Sequence, residues 1–170
     1  PGFTSSCFEL IRSCNRLGIL VDLSHLNEAG FWDVARTSYA PLVATHSNAH
    51  ALCPSTRNLT DTQLLAIRDT DGVVGVNFGV SFLREDGRHL PDETPIDEIL
   101  RHVDYLAEAM GVDHVAFGSD FDGTSIPTEL GGVAGLPKLV DGLRARGYDD
   151  DAVAKVTHGN WLRVLRATWR

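Results

Sequence analysis

The sequence predicts an α/β protein in which four parallel strands alternate with helices. Four short apolar runs recur along the 170 residues, and segments with apolar residues at helical spacing separate them. Alternation of this kind specifies a parallel sheet with right-handed connections. A complete (β/α)8 barrel of the TIM type needs about 250 residues. The chain is therefore expected to form, as a single domain over residues 1–170, roughly half of such a barrel or else a small open sheet.

Local signals mark where the predicted helices begin and end. Gly18 and Gly111 follow two of the helical patterns, and Asn27 is a good N-cap residue. Thr60 and Gln63 form a T-x-x-Q capping box at the start of another helix. In chain order the predicted elements are helix 4–17, strand 19–24, helix 27–38, strand 42–44, helix 60–70, strand 73–78, helix 96–110, strand 115–119, helix 136–146 and helix 149–169 with a break near Gly159.

Composition excludes several classes of function. The formal net charge of −8 argues against a nucleic-acid partner, because phosphates require clustered Lys and Arg. No apolar stretch of about 18 residues and no signal-peptide pattern is found, so we expect neither a membrane partner nor export. The three cysteines, Cys7, Cys14 and Cys53, lie in or beside apolar positions. Buried free thiols in a reducing compartment, and hence a cytoplasmic location, are the expectation.

Metal-binding and acid-base side chains follow three of the predicted strands. His25 follows strand 19–24, His46 follows strand 42–44, and Asp120 follows the last strand. A single histidine at a strand end is more often structural than a ligand, but two on neighbouring strands and an aspartate nearby favour a site. Neutral imidazoles suit zinc, and a nearby carboxylate can take a proton from bound water.

Arg57 lies in an irregular loop that ends at the capping box of the next helix. Its planar guanidinium can bind a carboxylate through two parallel hydrogen bonds. From the residues alone, the simpler interpretation is that Arg57 pairs with a carboxylate of the protein itself.

Five motifs in this order resemble those of the membrane (renal-type) dipeptidases and their bacterial relatives. The resemblance covers essentially the whole chain. The motifs are DLSH at 22–25, THSNA at 45–49, RNLTD at 57–61, VVGVNF at 73–78 and GSDFDG at 118–123.

The resemblance implies a metallo-dependent hydrolase barrel that hydrolyses dipeptides to free amino acids. Two zinc ions, bridged by a carboxylate and a hydroxide, are implied for the complete enzyme. By the same resemblance, His25 and His46 bind the second zinc, and Arg57 binds the terminal carboxylate of the dipeptide substrate. Asp120 is implied to contact the catalytic water and the substrate amine, and to pass the proton to the leaving group.

The sequence departs from the family pattern at the first zinc. The family binds that ion with a His-x-Asp on the first strand and with a bridging Glu, and neither has a counterpart here. The only His-x-Asp, at residues 102–104, lies inside the amphipathic helix 96–110, and we interpret it as unrelated to the metal site. The chain therefore resembles the carboxyl-terminal half of a dipeptidase with half of its metal site.

Two other hypotheses remain open from the sequence. The chain could be a catalytically incomplete half-barrel that binds metal weakly and associates with the missing half or, as a homo-oligomer, with itself through its open edges. It could also be a hydrolase of the same barrel type acting on a cyclic amide, although the RNLTD motif with Arg57 counts against this. The absence of a hydrophobic tail favours a soluble, bacterial-type relative.

Overall fold

Three parallel strands form the sheet around which the helices are arranged. The computed structural model describes residues 2–169. The strands are β1 (Val43–Ala44), β2 (Val73–Asn77) and β3 (Val115–Ser119), in the order β1-β2-β3 with all pairs parallel. All five residues of the central strand β2 are buried, as expected for a strand covered on both faces. The predicted α/β class with a parallel sheet is confirmed.

The prediction of four strands is wrong by one. Segment 19–24 contributes only an isolated parallel bridge between Asp22 and Val43, with the Leu23 N–H donating to the Val43 carbonyl at 2.8 Å. The segment lies at the edge of the sheet beside a strand of two residues, so few ladder positions are available to it. Ile19, the first apolar residue of the run, is 49% exposed. Segment 19–24 has a β-prone composition, but no neighbour in residues 2–169 extends its pairing beyond the single bridge.

Eight α-helices surround the sheet in the part of the chain that the structure describes. Their bounds are α1 Ser5–Leu17, α2 Glu28–Thr37, α3 Asp61–Asp69, α4 Val80–Leu83, α5 Asp97–Met110, α6 Leu136–Ala145, α7 Asp150–Ala154 and α8 Asn160–Thr168. Short 3-10 turns cover Pro91–Glu93, Val112–His114 and Val133–Gly135. None of these helices is long and apolar enough to cross a membrane.

The predicted caps hold at two helices and fail at a third. The Asn27 side chain accepts the Gly30 N–H at 2.8 Å, and the Thr60 N–H donates to Gln63 Oε1 at 2.9 Å. Thr94 precedes Pro95 in the sequence, a pattern that predicts a third cap, but its hydroxyl donates to the Leu90 carbonyl instead. The expected break near Gly159 is a single π-helical turn, Lys155–Gly159, that connects α7 to α8 without ending the helix.

Two glycines let the ends of the strands approach one another closely. A Cβ built on either Gly75 or Gly118 would lie 2.1 Å from the Thr45 carbonyl oxygen. The register between β2 and β3 shifts after Val76, so that Asn77 pairs with Ser119. A glycine inside an apolar strand predicts close backbone packing, and Gly75 packs in this way. The loops after β1, β2 and β3 thus begin from one tightly spaced edge.

His102 of α5 is a buried structural residue. The interpretation that its His-x-Asp motif is unrelated to the metal site agrees with its surroundings. Its side chain is fully buried, Nδ1 accepts the Ala49 N–H at 3.2 Å, and Nε2 donates to the Leu83 carbonyl at 3.0 Å. Burial lowers the pKa of the imidazole from 6.5 to about 4, because the charged form would be desolvated. His102 thus ties the loop after His46 to α4 and α5 in its neutral form.

Lowering the pH from 6.5 to 4 is expected to destabilise the fold through His102. In this window the unfolded chain binds a proton at His102 while the folded chain does not, so the free energy of unfolding falls as the pH falls. The contribution is as much as roughly 3 kcal/mol, from 1.36 kcal/mol per pKa unit. Urea unfolding of the wild-type chain and of His102→Gln across this window measures it. A His102→Gln variant with the same pH slope as the wild type would contradict the assignment.

Candidate active site

Two histidine rings meet at the carboxyl edge of the sheet. His25 follows the bridge residue Asp22 by three positions, and His46 follows β1 by two. Their Nε2 atoms are 2.9 Å apart, and their ring centroids are 5.0 Å apart. The structure therefore brings together the two residues for which the sequence predicted metal binding.

The orientation of the His46 ring is set by Thr45 and Asp22. The Thr45 hydroxyl donates its single proton to Asp22 Oδ2, so in its 2.7 Å contact with His46 Nδ1 it is the acceptor. The proton of neutral His46 is therefore on Nδ1, and Nε2 presents a lone pair. Metal-binding histidines commonly have this arrangement, in which a polar partner holds the other ring nitrogen.

The His25 nitrogen that faces His46 also contacts Arg57. Arg57 Nη2 lies 3.1 Å from His25 Nε2, and since a guanidinium can only donate, Nε2 is the acceptor. Desolvation lowers the pKa of His25, and the neighbouring Arg57 and His46 lower it further, which favours the neutral form. His25 adopts a left-handed backbone conformation with φ of 69°, a strain that is typical of functional sites.

Two neutral imidazole nitrogens that point at one another suit a shared zinc ion. Their lone pairs would repel without a cation or proton between them, and imidazole is a preferred zinc ligand. Within residues 2–169 no group of three or more His, Cys, Asp or Glu side chains could hold a metal. His25 and His46 have the chemistry of metal ligands, and their binding of a metal stays a prediction.

Arg57 lies directly beside the histidine pair, and its guanidinium is held by uncharged groups and by His25. Nη2 also contacts the His46 carbonyl at 3.4 Å, and Cζ lies 5.5 Å from the centre of the Phe82 ring, a cation–π distance. Among the described residues Arg57 forms no ion pair with a carboxylate, so the simpler interpretation of this residue is not supported. Desolvation lowers the pKa of Arg57, and the negative charges of Asp120 and Asp22, which raise it, offset only part of this effect.

A cavity of about 280 Å³ opens beside His25 and Arg57. Its apolar wall is formed by Leu23, Phe31 and Leu59, all of which are buried. This volume is at the lower end for small-molecule sites, so it suits one amino-acid side chain better than a long peptide.

Asp120 leaves the end of β3 in a strained turn and faces the same site. Ser119 and Asp120 both have left-handed backbone angles, with φ of 41° and 63°. The negative charge of Asp120 acts on His25 and Arg57, raising the pKa of each against the effect of burial. Asn77 Nδ2 donates to Asp120 Oδ2 at 3.0 Å. All four residues predicted from the sequence, His25, His46, Arg57 and Asp120, thus lie at one edge of the sheet.

Sequence reasoning missed three residues of the site, Phe82, Asn48 and Asn77. Phe82 lies in α4, at the start of the mostly polar segment 81–91, whose composition predicts a loop. Asn48 and Asn77 are 0% and 1% exposed and bond to each other through the Asn48 side chain. A polar residue closing a buried apolar strand, as Asn77 does, was the available signal.

Comparisons with known proteins give a consistent assignment. The family model described as membrane dipeptidase (peptidase family M19) matches residues 1–169. An uncharacterized protein in the pqqA 5' region of Klebsiella pneumoniae is 59% identical over 170 residues, which are 100% of this chain and 62% of that protein. The dipeptidase aclJ of Aspergillus oryzae is 35% identical over 166 residues, which are 96% of this chain and 38% of that protein.

Solved structures match over nearly the whole chain. A metallo peptidase from Rhodobacter sphaeroides, liganded with a phosphinate mimic of the dipeptide L-Ala-D-Ala, superposes with a TM-score of 0.96 at 55% sequence identity. The match covers 99% of this chain and 48% of that one. The chain therefore spans about half the length of this solved relative, and the sheet described above corresponds to half of its fold.

Replacing Thr45 is expected to change the tautomer of His46. Thr45→Val removes the acceptor for the Nδ1 proton, so the Nε2–H form should gain population, and zinc affinity should fall about 10- to 100-fold. Nitrogen-15 NMR of the His46 ring at pH 8 and zinc titration measure the two effects. Thr45→Ser, which keeps the hydroxyl, is the matched control. An unchanged Nδ1–H tautomer in Thr45→Val would contradict the role of the hydroxyl.

Proposed function

Since this chain belongs to the membrane dipeptidase family, peptidase family M19, we propose that it carries half of the active site of a zinc-dependent dipeptidase. The observation that supports this most directly is the meeting of the His25 and His46 Nε2 atoms, 2.9 Å apart, beside the guanidinium of Arg57. A metal position and a carboxylate-binding group are thereby adjacent. Hydrolysis of dipeptides to free amino acids requires both.

His25 and His46 would hold one of the two zinc ions that the family resemblance implies for the complete enzyme. Bound zinc lowers the pKa of water and polarises a carbonyl group. The Thr45 hydroxyl orients His46 so that Nε2 carries the lone pair, and the Arg57 N–H now bonded to His25 Nε2 would give way to the metal. His46→Ala is expected to reduce the zinc content.

Arg57 would bind the terminal carboxylate of the dipeptide. Its guanidinium lies beside the histidines, stacks on Phe82 and has no carboxylate partner among the described residues. A substrate carboxylate would satisfy this partly desolvated charge through two parallel hydrogen bonds. Anchoring one end of the substrate a short distance from the metal restricts the reaction to short peptides.

Asp120 would accept the proton of the attacking water and donate it to the leaving amine. Its half-exposed carboxylate faces His25 and Arg57 from the opposite loop, so it can reach the substrate amine. An aspartate in such a position acts as a general base and then as a general acid. The dipeptide mimic bound by the Rhodobacter sphaeroides relative supports the choice of substrate class.

Loss of the Arg57 guanidinium is expected to weaken substrate binding selectively. In the active protein, Arg57→Ala should raise KM for a free dipeptide by about 10- to 100-fold, the value of a charge-assisted hydrogen-bonded pair. The same substitution should leave kcat/KM for the carboxyl-amidated dipeptide nearly unchanged. Arg88→Ala, an exposed arginine in the loop after α4, is the control. An equal loss for both substrates would refute the carboxylate-binding role.

We further propose that the open edges of the sheet pair with another polypeptide surface. Beside β3 the apolar side chains Phe117, Phe121, Leu136 and Val140 line an open groove of about 670 Å³, with Val133 69% exposed at its rim. Exposed apolar surface along an unpaired strand is a typical site of association. The partner would be the complementary half of the barrel or a second copy of this chain.

Light scattering of the purified chain tests this association. We expect a mass above the 18.5 kDa of one copy when the complementary half is absent. Val133→Lys should shift the mass toward the monomer by placing a charge in the groove, whereas Leu162→Lys, at an exposed position of α8, should not. A monodisperse wild-type monomer would argue against the proposal.

A further inference from the structure

The Asn48 side chain takes the place of a neighbouring strand at the end of β2. Strand β1 ends at Ala44, before it can pair with the last residue of β2. Asn48 Oδ1 accepts the Asn77 N–H at 3.0 Å, and Asn48 Nδ2 donates to the Asn77 carbonyl at 2.9 Å. These are the two hydrogen bonds that a strand partner would supply. The loop that carries His46 is thereby fixed to the end of β2.

The Asn77 side chain links the fixed end of β2 to Asp120. Its Oδ1 accepts the Gly79 N–H at 2.6 Å, and its Nδ2 donates to Asp120 Oδ2 at 3.0 Å. The Gly79 backbone N–H can only donate, so the carboxamide has one orientation and its N–H must point at the carboxylate. Asn77 is 1% exposed, so its rotamer is locked by packing as well.

The Asp120 carboxylate is confined from its other side by the turn that follows it. A Cβ built on Gly123 would lie 2.2 Å from Asp120 Oδ1, so the carboxylate packs against the bare Cα of that glycine. The Gly123 N–H donates to the Asp120 carbonyl at 3.1 Å and closes the turn. Within residues 2–169, Oδ1 accepts no hydrogen bond from a side chain.

We propose that Asn77 is the positioning residue for Asp120 and that Asn48 acts through it. The Asn77 N–H holds Oδ2 while Gly123 packs against Oδ1, so the carboxylate is held in one orientation at the edge of the site. Because Asn48 also belongs to the His46 loop, the two asparagines set the spacing between the metal side of the site and the proton-transferring group. The effect on catalysis rests on the proposed function of Asp120, whereas the orientation of the Asp120 side chain is independent of that function.

Two substitutions separate this role from a purely structural one. Asn77→Asp keeps the size of the side chain and the acceptor for the Gly79 N–H, but removes the donor to Asp120. Asn77→Leu removes both hydrogen bonds without adding a charge. The matched control is Asn160→Leu, because Asn160 is 3% exposed and its side chain donates to the Val112 and Val115 carbonyls at 2.8 Å, at the opposite end of β3.

Three-bond couplings from Asp120 Cγ to the backbone nitrogen and carbonyl carbon measure the orientation in this chain. We expect values of a single χ1 rotamer in the wild type and in Asn160→Leu, and averaged values in both Asn77 variants. A single unchanged rotamer in the Asn77 variants would overturn the proposal. Should those variants fail to fold, Asp120→Ala at its half-exposed position serves instead. It should move one Asn77 side-chain amide proton upfield, and an unmoved resonance would overturn the proposal.

Steady-state kinetics of the active protein then test the consequence for catalysis. Asn77→Asp should lower kcat for a dipeptide by about 10- to 100-fold, the cost of a misplaced catalytic group, with KM changed less than about threefold. Equal changes in kcat and KM, or none, would contradict the positioning role. If the wild-type protein hydrolyses no dipeptide, the proposed function fails, and the coupling measurements still decide the orientation of Asp120.

Discussion

The carboxylate of Asp22 accepts hydrogen bonds from the Ser24 N–H, the Thr45 N–H and the Thr45 hydroxyl. These bonds join segment 19–24, which otherwise forms a single bridge to the sheet, to the end of β1. The two loops that follow carry His25 and His46, so the partly buried Asp22 carboxylate fixes the starting points of both loops. Through the Thr45 hydroxyl it also determines which nitrogen of His46 is free. The position and the chemistry of the pair therefore depend on the same carboxylate.

Much of this arrangement could be predicted from the sequence, because strand ends are marked by local patterns. The runs that end at His46 and Asp120 form strands at the expected places, and the four predicted site residues share one edge. The fourth strand failed because a ladder requires a neighbour, and the composition of segment 19–24 carries no information about one. The roles of Asn48 and Asn77 could not be predicted for a related reason. Their hydrogen bonds join residues 29 and 43 positions apart, which no local pattern reports.

The candidate site combines rigid and strained parts. Buried carboxamides hold the carboxyl end of β2, while His25 and Asp120 occupy left-handed backbone conformations that cost free energy. Such conformations persist only where the surroundings determine them, and here the surroundings are the Asp22 and Asn77 hydrogen bonds. The cost of strain is thereby offset by a hydrogen-bond network that includes the buried Asn48 and Asn77 and the partly exposed Asp22 and Asp120.

The backbones of Gly75 and Gly118 contact the Thr45 carbonyl, and this contact sets the spacing of the strand ends at the carboxyl edge of the sheet. The spacing therefore does not depend on the side chains that line the cavity beside Arg57. Residues of the cavity wall can vary without moving His46 or Asp120, whereas a side chain at Gly75 or Gly118 would displace the ends of the strands together. In the proposed dipeptidase, substrate preference and the spacing of the site residues are thus set by different parts of the chain.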